Sequence, residues 1–210
     1  EAWMDSAPPP KLIASSELSN TQLDGAIRSL RGAAEQASDW PVIRHDTRFT
    51  RIRGDGWQII VRPHPFALRG ALFLRAWLRQ HGKAFATRIS IATGAAELPA
   101  SGRDLNHASG PAFVASGHGL DAMARSFEMN HADGGAIAAA TRLADHVSQG
   151  WTPAQARVVA EMLPPFETTQ AEVAKRLGHS QQAVQQALLA AGFPATNDAL
   201  ELIEQERRAG

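Results

Sequence analysis

The chain has 210 residues, 44% of them hydrophobic, with 21 basic and 21 acidic side chains, so it can bury an ordinary core and carries no net charge. Zero net charge excludes the overall polyanion-binding signature of a strongly basic chain, and any contact with nucleic acid must come from a local surface. The absence of cysteine excludes disulfides, thiolate zinc sites and cysteine nucleophiles, and no apolar run approaches the roughly 20 residues that span a bilayer.

The opening EAWMDSAPPPK lacks the charged-then-apolar pattern of an export signal, and a soluble, cytoplasmic protein without membrane attachment is expected. Next, KLIAS (Lys11 to Ser15) reads as a short buried strand. SNTQLDGAIRSLRGAAEQA places Leu23, Ile27, Leu30 and Ala34 at helical spacing, with Ser19 or Asn20 available as the N-cap. RFTRIRGDGWQIIV, from Arg48 to Val61, sets an Asp-Gly pair between two β-prone runs, the strongest short-range signal for a tight hairpin, and puts Asp55 at its tip. An Asp at such a turn needs no function, because its side chain suits the turn on its own.

PFALRGALFLRAWLRQHG carries an apolar stripe through Leu68, Leu72, Ala76 and Trp77 that ends at Gly82, so an amphipathic helix is expected. ATRISIATG is an alternating strand through Ile89 and Ile91. The order to this point, β-α-β-β-α-β, predicts an α+β domain with a ferredoxin-like antiparallel sheet and helices on one face. GPAFVASGHGLDAMA is a helix or the loop before one, RSFEMN is an added edge strand, and GGAIAAATRLADHVSQG is an Ala-rich helix ending at Gly150. A domain boundary is expected at residues 148–150, dividing the chain into 11–148 and 151–210.

WTPAQARVVAEML starts a new helix with Thr152 as N-cap and Pro153 at the first helical position. TTQAEVAKRLGHSQQAVQQALLAAG then gives a helix with Val173, Ala174 and Leu177 inward, a turn at Gly178, and a second helix capped by Ser180 and held by Val184 and Leu188. This resembles the helix-turn-helix of bacterial DNA-binding proteins over about 20 residues, with His179 departing from the apolar residue more usual in such turns. The resemblance implies that Gln181, Gln182, Gln185 and Gln186 face base edges. It also implies that Thr169, Ser180, Lys175 and Arg176 lie near the phosphates. Glutamines on an exposed helix equally serve to solvate it. Residues 151–210 carry five basic and seven acidic groups, against the usual dominance of phosphate contacts; Glu201, Glu204 and Glu206 are expected on a later helix facing away.

The hairpin, the following helix, RISIATG and SGPAFVASGHGLDAM together resemble the SatD-like family and, more distantly, class III nucleotide cyclases, over roughly residues 11 to 130. In such cyclases, acids on the first strand and on the hairpin hold two divalent cations over the nucleotide phosphates. Asp55 matches the hairpin acid, but Ser15 stands where the first-strand acid belongs, with Glu17 two residues on. The positions of the Asn and Arg that assist the transition state fall on Phe113 or Val114 and on Gly117 or His118. The resemblance therefore implies a fold that has lost its chemistry, with no bound metal and no cofactor. Arg51 and Arg53, which strand alternation puts on one face, are candidates with Asp55 for nucleotide or phosphate contact.

The combined expectation is a DNA-binding transcriptional regulator that acts on double-stranded DNA as a homo-oligomer and is not an enzyme. Its front domain would sense a ligand, dimerise or bind a protein partner such as a polymerase subunit. The alternative is a divalent-metal-dependent nucleotide cyclase or nucleotidyl transferase that uses Asp55.

Overall fold

A computed structural model describes residues 19–42, 47–52, 54–100, 102 and 104–209. The expected strand Lys11–Ser15, with Ser15, Glu17 and Arg53, lies outside these described residues.

Helix α1 (Asn20–Ser38) begins at a capping box in which the Ser19 hydroxyl accepts from the Gln22 N–H and the Gln22 side chain accepts from the Ser19 N–H. Its buried face is Ala26, Ile27, Leu30, Ala33, Ala34 and Ala37, and the four alanines let it pack closely against α2. Strands β1 (Phe49–Arg51) and β2 (Trp57–Ile59) form the expected antiparallel hairpin, with Phe49 opposite Ile59 and Arg51 opposite Trp57. The Ile52 N–H donates to the Gly56 oxygen at 2.8 Å and closes the turn, and the glycine with a left-handed backbone there is Gly54 at φ 71° rather than Gly56. The turn therefore rests on Gly54-Asp55, one place earlier than the Asp-Gly pair suggests.

Helix α2 (Ala67–Arg79) is not amphipathic in its surroundings. Leu68, Leu72 and Ala76 are buried as expected, but so are Arg69, Phe73, Arg75 and Arg79 on the other faces. The helix touches α1, α4 (Gly135–Gln149), α5 (Pro153–Met162) and β3 (Ile89–Ile91), and it is the hub of the molecule. Its three buried arginines each meet protein groups rather than solvent. Arg75 Nη1 donates to Asp145 at 2.7 Å and to the Ser148 hydroxyl at 2.6 Å.

Strand β3 pairs in parallel with β4 (Met129–His131), Ile89 opposite Met129 and Ile91 opposite His131. The edge strand expected in RSFEMN is thus present, but the pairing corrects the expectation of a wholly antiparallel sheet. The connection passes through α3 (Pro111–Asp121), and a crossover helix brings the next strand back in the same direction. Among the described residues the strands form two two-stranded sheets, and the chain is a mixture of helix and sheet.

The C-terminal part is all helical. After α5 come α6 (Gln170–Leu177), α7 (Gln181–Ala190) and α8 (Phe193–Ala209). Gly150 ends α4 at the expected boundary, yet the apolar core runs without a break from Ala26 on α1 to Leu200 on α8. Trp151, 2% exposed, sits at the junction and donates its indole N–H to the Ala191 oxygen at 2.9 Å.

Candidate nucleic-acid interface

Four helices, α5 to α8, build the C-terminal part, and the first three each have a capping residue at their start. Thr152 caps α5 in a box with Gln155, and Thr169 caps α6 in a box with Glu172. Glu172 accepts from the Thr169 N–H at 2.8 Å and from its hydroxyl at 2.9 Å, and these bonds hold the Glu172 carboxyl below the usual carboxylate range. Helix α6 stops at Gly178, whose backbone is left-handed (φ 68°, ψ 33°), and the Gly178 N–H donates to the Ala174 oxygen. The chain then turns within two residues, and the Ser180 hydroxyl accepts from the Ala183 N–H at 3.1 Å to start α7. Val173 and Ala174 on α6 and Val184 and Leu188 on α7 are buried where the two helices cross, and α7 also packs on α5 and α8. Ala174 permits the close crossing.

This arrangement leaves Ser180, Gln181, Gln182, Gln185 and Gln186 exposed, as the sequence predicts. The other expected phosphate contacts fare differently. Lys175 is exposed. Arg176 is bound to Glu161 on α5 at 2.9 Å, and both the hydroxyl and the N–H of Thr169 are engaged in the α6 cap. Glu204 does not face away on a solvated helix; it is 6% exposed and joined to Arg69, so its charge is neutralised within the fold. Sequence reasoning missed Leu189, which is 61% exposed on α7. The signal was present, since Leu189 follows Gln182, Gln185 and Gln186 by seven, four and three residues and shares their side of the helix.

The hairpin site is more loosely furnished. Asp55 is half-buried at the loop. Arg51, offered as a phosphate contact, is committed elsewhere, its Nη1 donating to Asp24 on α1 at 2.8 Å and its Nε to the Gly54 oxygen at 2.8 Å. Arg53 lies outside the described residues. A groove of about 850 Å³ opens between β2 and β3 over α2, lined by Ile60, Val61, Ser90, Thr93 and Phe113 among others, and neither Asp55 nor Arg51 borders it. Among the described residues no group of three or more His, Cys, Asp or Glu side chains is placed to hold a metal ion, and no helix is long and apolar enough to cross a membrane.

Compared with protein-family models, curated proteins and solved structures, the chain matches none of them.

Proposed function

We propose that the protein is a sequence-specific DNA-binding regulator that lays α7 in the major groove of double-stranded DNA. The single observation that carries this reading is a capped helix that turns an uncharged face of glutamines to solvent while its opposite side is fixed against α5, α6 and α8. Glutamine presents a donor and an acceptor together and pairs with base edges in two places at once. The tight Gly178 turn and the buried Val184 and Leu188 give the rigidity such pairing requires. The acidic balance of the C-terminal part weighs less than its count suggests, because Glu204 is neutralised by Arg69 from outside that part, whereas Glu161 and Arg176 offset one another within it.

The front domain, in this reading, is a cyclase-like α+β scaffold without turnover that senses a ligand, dimerises or binds a partner protein. Arg51 supports the loss of chemistry, since its guanidinium is held by Asp24 and the turn rather than presented to a phosphate. The test is a mobility-shift titration of the whole chain on its best genomic sites, recovered by crosslinking. The Gln182→Ala/Gln185→Ala variant is expected to lose about 1–3 kcal/mol of discrimination against wrong bases with an unchanged melting temperature. If that variant binds as tightly and as selectively as the parent, α7 is not the reader.

A further inference from the structure

We infer that α7 reads A·T base pairs, its glutamines taking adenine and Leu189 taking the methyl group of thymine. This rests on the DNA-binding reading above and narrows it to a class of site.

The outward side of α7 is formed by Gln182, Gln185, Gln186 and Leu189, spaced so that all four share one side of the helix, opposite the buried Val184 and Leu188. From Gln181 to Ala190 the helix has no charged residue. Guanine is read bidentately by arginine or lysine and cytosine by a carboxylate, and this helix carries neither of these preferred readers. The nearest cations along the chain are Lys175 and Arg176 on α6, and Arg176 is bound to Glu161 at 2.9 Å. Glutamine is one of the two side chains that meet the adenine N6/N7 edge with a donor and an acceptor, and four of them are exposed here.

Leu189 supplies the complementary half. A single exposed leucine is ordinary on a protein surface, but this one is 61% exposed in line with three glutamines. In the major groove the partner of adenine presents a C5-methyl group, the one apolar feature of that edge, and an apolar side chain is what it accepts. At 1.5 Å per residue Gln186 lies about 4.5 Å and Gln182 about 10 Å from Leu189 along the helix axis, roughly one to three base-pair steps of 3.4 Å, the span of a short A·T run.

The experiment selects duplexes from a randomised pool with the whole chain, then rebuilds the best duplex with 7-deazaadenine for adenine or deoxyuridine for thymidine, one position at a time. Selected sites are expected to hold a run of A·T pairs. Removing adenine N7 at a read position should weaken binding about five- to a hundredfold, and the Gln182→Ala or Gln185→Ala variant should be indifferent to one such change. Deoxyuridine should weaken the parent severalfold, while Leu189→Ala should bind the thymidine and deoxyuridine duplexes equally. The exposed positions leave the melting temperature of all three variants unchanged, and that is measured alongside. Selected sites with G·C at the positions where Gln182→Ala loses selectivity would overturn the A·T inference while the DNA-binding reading stands. A Leu189→Ala variant that still distinguishes thymidine from deoxyuridine would remove the leucine from it. If no duplex is enriched, the DNA-binding reading falls and this inference with it.

Discussion

The buried arginines of α2 carry the sharpest single-residue consequences. Arg75 is 2% exposed and Asp145 is wholly buried at 2.7 Å from it, with the second Asp145 oxygen accepting from the Glu128 N–H and from Gln149. Asp145→Ala is expected to cost about 3–5 kcal/mol in a denaturant titration, because it strands a buried guanidinium. Replacing both partners, Arg75→Met with Asp145→Leu, should cost far less, which separates the stranded charge from lost packing. Glu128 lies 3.7 Å from Arg75 and 4.0 Å from Arg79, yet its Oε2 accepts no hydrogen bond. Burial pushes its carboxyl up, outweighing the pull of the two guanidinium groups. The folded state therefore holds this proton more tightly than the unfolded chain does, and its contribution to stability declines as pH rises from the ordinary glutamate range through the raised one. Glu128→Gln should flatten that decline in denaturation midpoints measured from about pH 4 to 7. At the hairpin, Asp55→Asn should leave DNA affinity and stability within about 0.5 kcal/mol. Nucleotide turnover with Mn²⁺ in the parent, abolished by this one change, would restore the enzyme alternative.

Helix ends and the crossing of α6 with α7 set the behaviour of the elements. Leu188 is 3% exposed on α7, buried with Val184 against α6, and Leu188→Ala is expected to destabilise the fold by about 2–5 kcal/mol in a thermal or denaturant melt. Gly178→Ala meets no steric obstacle, since nothing lies within 4 Å of the added methyl; its left-handed backbone alone should cost about 1 kcal/mol. The element starts were legible because their signals are local: Ser19, Thr152, Thr169 and Ser180 cap the helices they announce. The pairing of β3 with β4 was not, because three-residue strands have too few positions to mark a partner or its direction. The turn register shifted by one residue because two adjacent dipeptides, Arg53-Gly54 and Asp55-Gly56, each offer a glycine and local chemistry does not choose between them.

At the scale of the whole molecule, if α7 reads DNA as proposed, one such helix makes few contacts, and two copies reading half-sites about one helical turn apart are expected. Sedimentation of the protein alone and on its selected duplex checks this; a monomeric mass in both conditions would count against it. The sequence could not show how its two parts meet, because the joining groups are far apart along the chain and look like surface residues. Arg69 on α2 is 2% exposed, and its guanidinium donates to both oxygens of Glu204 at 2.6 and 3.2 Å, to Asn197 at 2.8 Å and to the Leu163 oxygen at 3.0 Å. Synthesis imposes an order on that knot. Glu204 follows Arg69 by 135 residues, which at about 5–20 residues per second leaves α2 waiting roughly 7–27 s on the ribosome for its last partner. Until α8 emerges, the central helix of the front half holds an unpaired cation, so the first half of the chain is a poor candidate for a finished folding unit, and a polypeptide cut short before Asn197 leaves the ribosome with its hub unsatisfied.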